Sequence, residues 1–315
     1  MKTFRLLLRA NRFEMAGVTV LAIAVLALAG GLVARLTAAG IPDACWAGSI
    51  GIASCGVSRL DLDAYLSDAG TWGYFAIGGI AVLPILTGLL VGITMVGKEL
   101  DRGTATFAWS LTPSRRRWLV ARALPLAILV TVVSLLGGAF ADSLEVLRNP
   151  GAGSGETFAH LTTRGVVVGA QALAFLGLAA IVGSVLGRIL PALLLSAGIV
   201  VVAYAGVAIA ADEMMRHETV TVVDPQDAVP GRVMEVLYQT SDGHILSWTE
   251  LYERYGSELD SSEDGGESLG LRQVVVVIPE ELYPIAVARM SVLFVAIGLA
   301  GLVLSAAVVD RRRPL

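Results

Sequence analysis

The chain is predicted to be an all-α membrane protein: six transmembrane helices, an N-terminal amphipathic interfacial helix, and a small mixed extracellular cap between spans 5 and 6. Three observations predict it. Hydrophobic residues make up 55% of the 315 positions and charged residues only 16%, whereas soluble domains carry about a quarter charged. Mean hydropathy is +0.73. Finally, six stretches of 19 to 25 residues contain no Asp, Glu, Lys or Arg. At about 1.5 Å per residue such lengths cover a hydrocarbon core of about 30 Å, and helices satisfy their own backbone hydrogen bonds there.

The elements follow in order. Arg5, Arg9 and Arg12 recur at helical spacing around Phe4, Leu7 and Leu8, which predicts a lead-in helix lying along the membrane surface. Span 1 is Ala16–Ala34; Glu14 before it and its length favour a retained helix over a cleaved leader. Span 2 is Gly73–Gly97, span 3 Ala123–Ala141, span 4 Gly165–Gly187, span 5 Ile189–Ala211 and span 6 Met290–Val309. Gly88-x-x-x-Gly92 and Gly183-x-x-x-Gly187 permit close helix approach. In the long segment after span 5, runs at Glu235–Gln239 and His244–Trp248 flank Ser-Asp-Gly as a hairpin. Trp248–Tyr255 reads as a short helix and Gln273–Ile278 as a strand. The expected organisation is therefore spans 1–5 over 1–211, an extracellular segment over 212–284, and span 6 with its tail over 285–315.

Charge sets the orientation. With the N-terminus inside, the short inner segments hold 14 of the 23 bases, and the positive-inside rule places both termini in the cytoplasm of a multi-pass cell-membrane protein. Between Asp212 and Pro284 stand 16 acids and four bases, while the rest of the chain is basic. The formal charge of −4 thus hides two opposite faces and gives no support for nucleic-acid binding. Cys45 and Cys55 both fall in the first outer loop, where an oxidising exterior permits a disulfide; two free thiols are the alternative.

Several chemistries are disfavoured. No span carries a carboxylate, Lys or His at mid-depth, and Gln171 is the strongest polar group. Proton-coupled carriers and voltage sensors need ionisable groups there. His160, His217 and His244 are scattered, without metalloprotease spacing. Gly92-Ile-Thr-Met-Val-Gly97-Lys98 imitates a phosphate-binding loop, but Glu99 stands where the magnesium-binding hydroxyl belongs.

The most informative stretch is the charged island at 97–118, which lies between spans 2 and 3. Span 2 can continue to Leu100, with Gly103 supplying a left-handed turn. Thr104 then opens a short helix over Ala105–Leu111 that exposes Phe107 and Leu111, and Ser114 caps span 3. A short helix tied to two spans is a lever.

Gly97-x-Glu99-x-x-x-Gly103-Thr104, the short apolar helix, and Thr112-Pro113-Ser114-Arg115 with the following Arg-Trp together resemble the ABC-2 type membrane subunit of ATP-binding cassette exporters, of actinobacterial kind. The six spans, lead-in helix, large outer segment and Arg-rich end fit the same likeness. The resemblance implies a permease subunit, not an enzyme, that dimerises with a second permease copy, identical or different. It implies cytoplasmic ATPase subunits that bind ATP and magnesium, leaving this chain without a cofactor. Glu99, Gly103, Thr104, Phe107, Leu111 and Arg115 are the expected ATPase-coupling residues. Thr87, Thr94, Ser196 and Tyr204 on spans 2 and 5 are the expected cavity lining. A non-transporting membrane partner of an ATPase, a sensor or mechanical transmitter, is the rival reading.

Overall fold

The computed structural model describes residues 12–41, 57–110, 114–148, 158, 161–222, 231–259 and 270–312. Most of the lead-in segment, both cysteines and Leu111 lie outside the described residues. Six helices are long and apolar enough to cross a membrane. They are α1 (Arg12–Ala39), α3 (Gly73–Asp101), α5 (Arg115–Arg148), α6 (Gly165–Leu186), α7 (Ile189–Arg216) and α9 (Tyr283–Arg311). Three shorter helices accompany them: α2 (Arg59–Ser67), α4 (Ala105–Ser110) and α8 (Trp248–Leu259).

The charge-free runs fall on these six helices, but five of the helices run past them; α6 stops at Leu186. α5 starts at Arg115 instead of Ala123, so its opening turns carry Arg115, Arg116, Arg117 and Arg122. A basic residue does not stop a helix; it only moves the hydrocarbon boundary. α2 is an element that the hydropathy did not single out. Ser58 caps it, its hydroxyl accepting from the Asp61 amide at 3.2 Å. A π turn over Asp68–Trp72 then carries it straight into α3. Asp68 is held by Arg35 of α1 at 2.9 Å, and the Tyr65 hydroxyl donates to the Leu147 carbonyl of α5.

Among the six long helices, α6 is the most enclosed. In lipid there is little hydrophobic drive between helices, so close packing through small residues holds them together. A β-carbon on Gly92 of α3 would lie 2.5 Å from the Leu176 carbonyl oxygen of α6. On another face of α6, a β-carbon on Gly298 of α9 would lie 2.7 Å from the Leu173 oxygen. One on Gly301 would lie 2.5 Å from the Gly177 carbonyl carbon. Phe175 of α6 and Phe294 of α9 meet edge to face at 6.2 Å. The Gly88-x-x-x-Gly92 pair therefore does sit at a helix contact.

The chain divides into two compact units, with boundaries inside α7 and α9. The first holds the helices above up to Ala208, together with Val287 onward. The second holds residues 209–286 with Phe158 and Leu161. It contains a four-stranded antiparallel sheet in the order β1-β4-β2-β3. The strands are β1 (Val220–Val222), β2 (Gly231–Gln239), β3 (Ile245–Leu246) and β4 (Arg272–Pro279). The expected hairpin is present, closed by the Thr240 amide donating to the His244 carbonyl at 2.9 Å. α8 begins on a capping box: Ser247 and Glu250 bond each other's backbone amides at 2.9 and 3.4 Å. Leu251 of α8 and Val274 and Ile278 of β4 are buried. β1 was not expected, since three residues carry too little alternation to read.

Candidate functional site

The island is built on the way α3 stops. Gly103 takes φ +68°, the left-handed region that glycine enters without steric cost. The Gly103 amide donates to the Leu100 carbonyl at 3.2 Å and the Thr104 amide to the Glu99 carbonyl at 3.0 Å. These two bonds are a Schellman motif, which satisfies carbonyls that would otherwise be orphaned at the helix end. The turn brings Thr104 back over Glu99. Its hydroxyl donates to one carboxylate oxygen at 2.5 Å, while Arg122 of α5 donates to the other at 3.1 Å. One carboxylate therefore ties the end of α3 to the start of α4 and to α5. The Arg122 side chain is only 5% exposed, and its guanidinium lies 5.4 Å from the centre of the Trp118 ring.

Helix α4 is seated through two side chains and exposes a third. Ala105 and Trp109, one turn apart, are buried in an apolar cluster with Met95, Val96, Leu119 and Val309. Trp109 meets Trp118 edge to face at 6.4 Å, and Arg115 lies 4.7 Å over the Trp109 ring. Phe107, between them in sequence, is 70% exposed. Such a large apolar side chain held outward on a short braced helix is a natural contact for a partner.

The start of α5 is also strapped to the end of α9. Arg115 donates to the Asp310 carbonyl at 3.2 Å and to the Arg312 carbonyl. Arg116 pairs with the Asp310 carboxylate at 2.8 Å. Arg312 in turn donates to the Ser184 carbonyl of α6 at 2.7 Å. Cations on the last carbonyls of a helix are favoured by its dipole. Ser114 caps α5 as expected, accepting from the Arg117 amide at 3.2 Å.

Of the coupling residues read from the sequence, Glu99, Gly103, Thr104, Phe107 and Arg115 gather at this one end of the first unit. Two participants were missed in that reading. Arg122 registers in the sequence only as one more base, and Asp310 as part of a charged tail. The local signal for Arg122 was its i,i+4 spacing from Trp118 on one helix face.

The four expected cavity residues lie on α3 and α7. The buried Thr87 hydroxyl donates to Leu83 of its own helix at 2.7 Å, and that of Thr94 to Leu90 at 2.7 Å. Ser196 is fully buried. Tyr204 donates to the Thr162 hydroxyl at 2.6 Å, while Gln171 donates to the Thr162 carbonyl at 2.7 Å. A hollow of about 460 Å³ lies elsewhere, along α5, α6 and α9, and none of the four lines it. Among the described residues no cluster of three or more His, Cys, Asp and Glu could hold a metal ion.

A family model described as ABC-2 membrane transporter related matches residues 15–212. That stretch runs from α1 into α7 and contains the whole Glu99–Arg122 arrangement. No curated protein and no solved structure matches the chain.

Proposed function

The chain belongs to the ABC-2 membrane transporter related family, and from that premise we propose that it is the permease subunit of an ATP-driven exporter. It is a multi-pass membrane transport component by its family and its six long apolar helices. The energy comes from separate cytoplasmic ATPase subunits, which bind the ATP and its magnesium. The Arg-rich end, with both termini, faces the cytoplasm, and a second permease copy completes the transport unit.

One observation carries this reading: α4 is buried through Ala105 and Trp109, yet holds Phe107 70% exposed. A partner that grips Phe107 grips a helix fastened to α3 and α5 through the Glu99 carboxylate. A push on α4 is then delivered to two spanning helices together. Through Arg115 and Arg116 it also reaches the end of α9. Interfaces and packed helices are bistable rather than continuously deformable, so a small displacement can be amplified into a change of access.

The test is affinity purification of the tagged full chain from membranes, with the captured ATPase identified and its ATP hydrolysis measured in lipid vesicles. A captured ATPase that drives cargo movement is the expected result. Transport by the purified chain alone, without any ATPase or nucleotide, would overturn the reading.

A further inference from the structure

We propose that the groove between α5 and α9 holds one resident anionic phospholipid, with its acyl chain in the groove and its headgroup on Arg117. The groove is the hollow of about 460 Å³, a volume in the range of ligand sites. Leu119, Val120, Leu124 and Ile128 of α5 face Leu299 and Ala306 of α9 across it, and Thr131 is the single polar residue in its lining. Val120, Leu124 and Ile128 are each more than half exposed in the isolated chain, so in a membrane this slot opens to lipid. Along α5 it runs from Leu119 to Val132, roughly 20 Å at 1.5 Å per residue. That is about the depth of one leaflet of a core about 30 Å thick.

The charges at its mouth choose the lipid class. Arg116 and Arg117 stand four and three residues before Val120, so they continue the groove-facing stripe of α5. On α9 the stripe Leu299, Leu302, Ala306 continues one turn on to Asp310. Arg116 is neutralised by Asp310 at 2.8 Å. Arg115 and Arg312 are spent on backbone carbonyls. Arg117 is exposed, and among the described residues its guanidinium meets no carboxylate. An apolar slot one leaflet deep, ending in one uncompensated cation at headgroup level, is complementary to an amphiphile with net negative charge. A zwitterionic lipid brings its own cation to the same place. A second copy of this chain fits poorly: in a two-fold contact each patch meets itself, setting the uncompensated Arg117 against its own copy at one depth. The inference does not depend on ATP coupling.

The experiment is reconstitution of the full chain in bilayers of phosphatidylcholine doped with phosphatidylglycerol, with native mass spectrometry of the lipid retained. The expected result is one phosphatidylglycerol enriched over its share of the bilayer. Arg117→Gln should lower that enrichment about fivefold, the worth of one interfacial arginine. Asp310→Asn should raise it by releasing Arg116. Arg188→Gln removes an exposed base from the connection between α6 and α7, off the stripe, and should change nothing. Leu124→Trp, at a lining position 59% exposed, fills the groove and should abolish retention of either lipid. Equal losses in Arg117→Gln and Arg188→Gln would show diffuse attraction and overturn the site. So would lipid retention that survives Leu124→Trp, or a groove found cross-linked to a second copy.

Discussion

A carboxylate has two oxygens, and Glu99 uses one for Thr104 and the other for Arg122. Glu99→Gln leaves the buried Arg122 guanidinium facing a neutral amide. Breaking such a pair typically costs about 3 kcal/mol, which should appear as a lowered melting temperature in detergent. Adding Arg122→Met should recover part of that loss, because the stranded charge is then gone. Phe107→Asp should change the melting temperature little, since the ring is 70% exposed. It should weaken capture of the ATPase by roughly 30-fold, the worth of an interface anchor of about 2 kcal/mol. Gly103→Val meets open space but a forbidden φ, so its effect is conformational, and Gly103→Asn should restore ATPase stimulation where Val loses it. Gly103 and Ser114 were legible in the sequence because helix ends have local rules. The bond from Glu99 to Arg122 was not, because it is made when α3 packs against α5, and no spacing rule links positions that far apart.

Whole elements were legible where water or lipid imposes a period. The six spans could be read because hydrocarbon tolerates so few charges; their true ends could not, since Arg115 to Arg117 extend α5 without interrupting it. The hairpin announced itself through its turn residues, whereas α2 hid behind Asp61 and Asp63. The lining of the hollow was illegible for a different reason. Polarity marks a residue such as Thr87, but which helix faces remain unfilled is decided only by packing. That packing predicts a graded response to added methyl groups. Gly92→Ala and Gly298→Ala push against backbone of α6 and should each lower the melting temperature by several degrees, as overpacking by 1–3 kcal/mol does. Gly198→Ala on α7, where nothing lies within 4 Å, should be silent. In the second unit, bonds from the Ser247 amide and hydroxyl hold the Glu250 carboxyl below its ordinary range. The unfolded chain therefore takes up that proton first, so the capping contribution is complete above the unfolded value and fades as pH falls through the folded one. Amide protection along α8, taken relative to the intrinsic exchange rate at each pH, should fall on acidification below about pH 4, and Glu250→Gln should remove that pH dependence.

For the molecule as a whole, the proposed orientation has a direct check. A fluorescent protein fused after Leu315 should glow and a periplasmic-type phosphatase at the same place should stay inactive. The reverse result would put α4 out of reach of any cytosolic ATPase. Finally, the seating of Gly298 and Gly301 on α6 has a consequence for how the protein is made. The matched family region closes at residue 212, yet one face of α6 is packed by a helix that begins at Tyr283. During synthesis that face must wait in the membrane, open to lipid or to a chaperone, while the intervening segment is translated. Arrival of α9 is thus the step that closes this face of α6. A ribosome that stops short of it releases a chain with an unmistakable defect for membrane quality control to find.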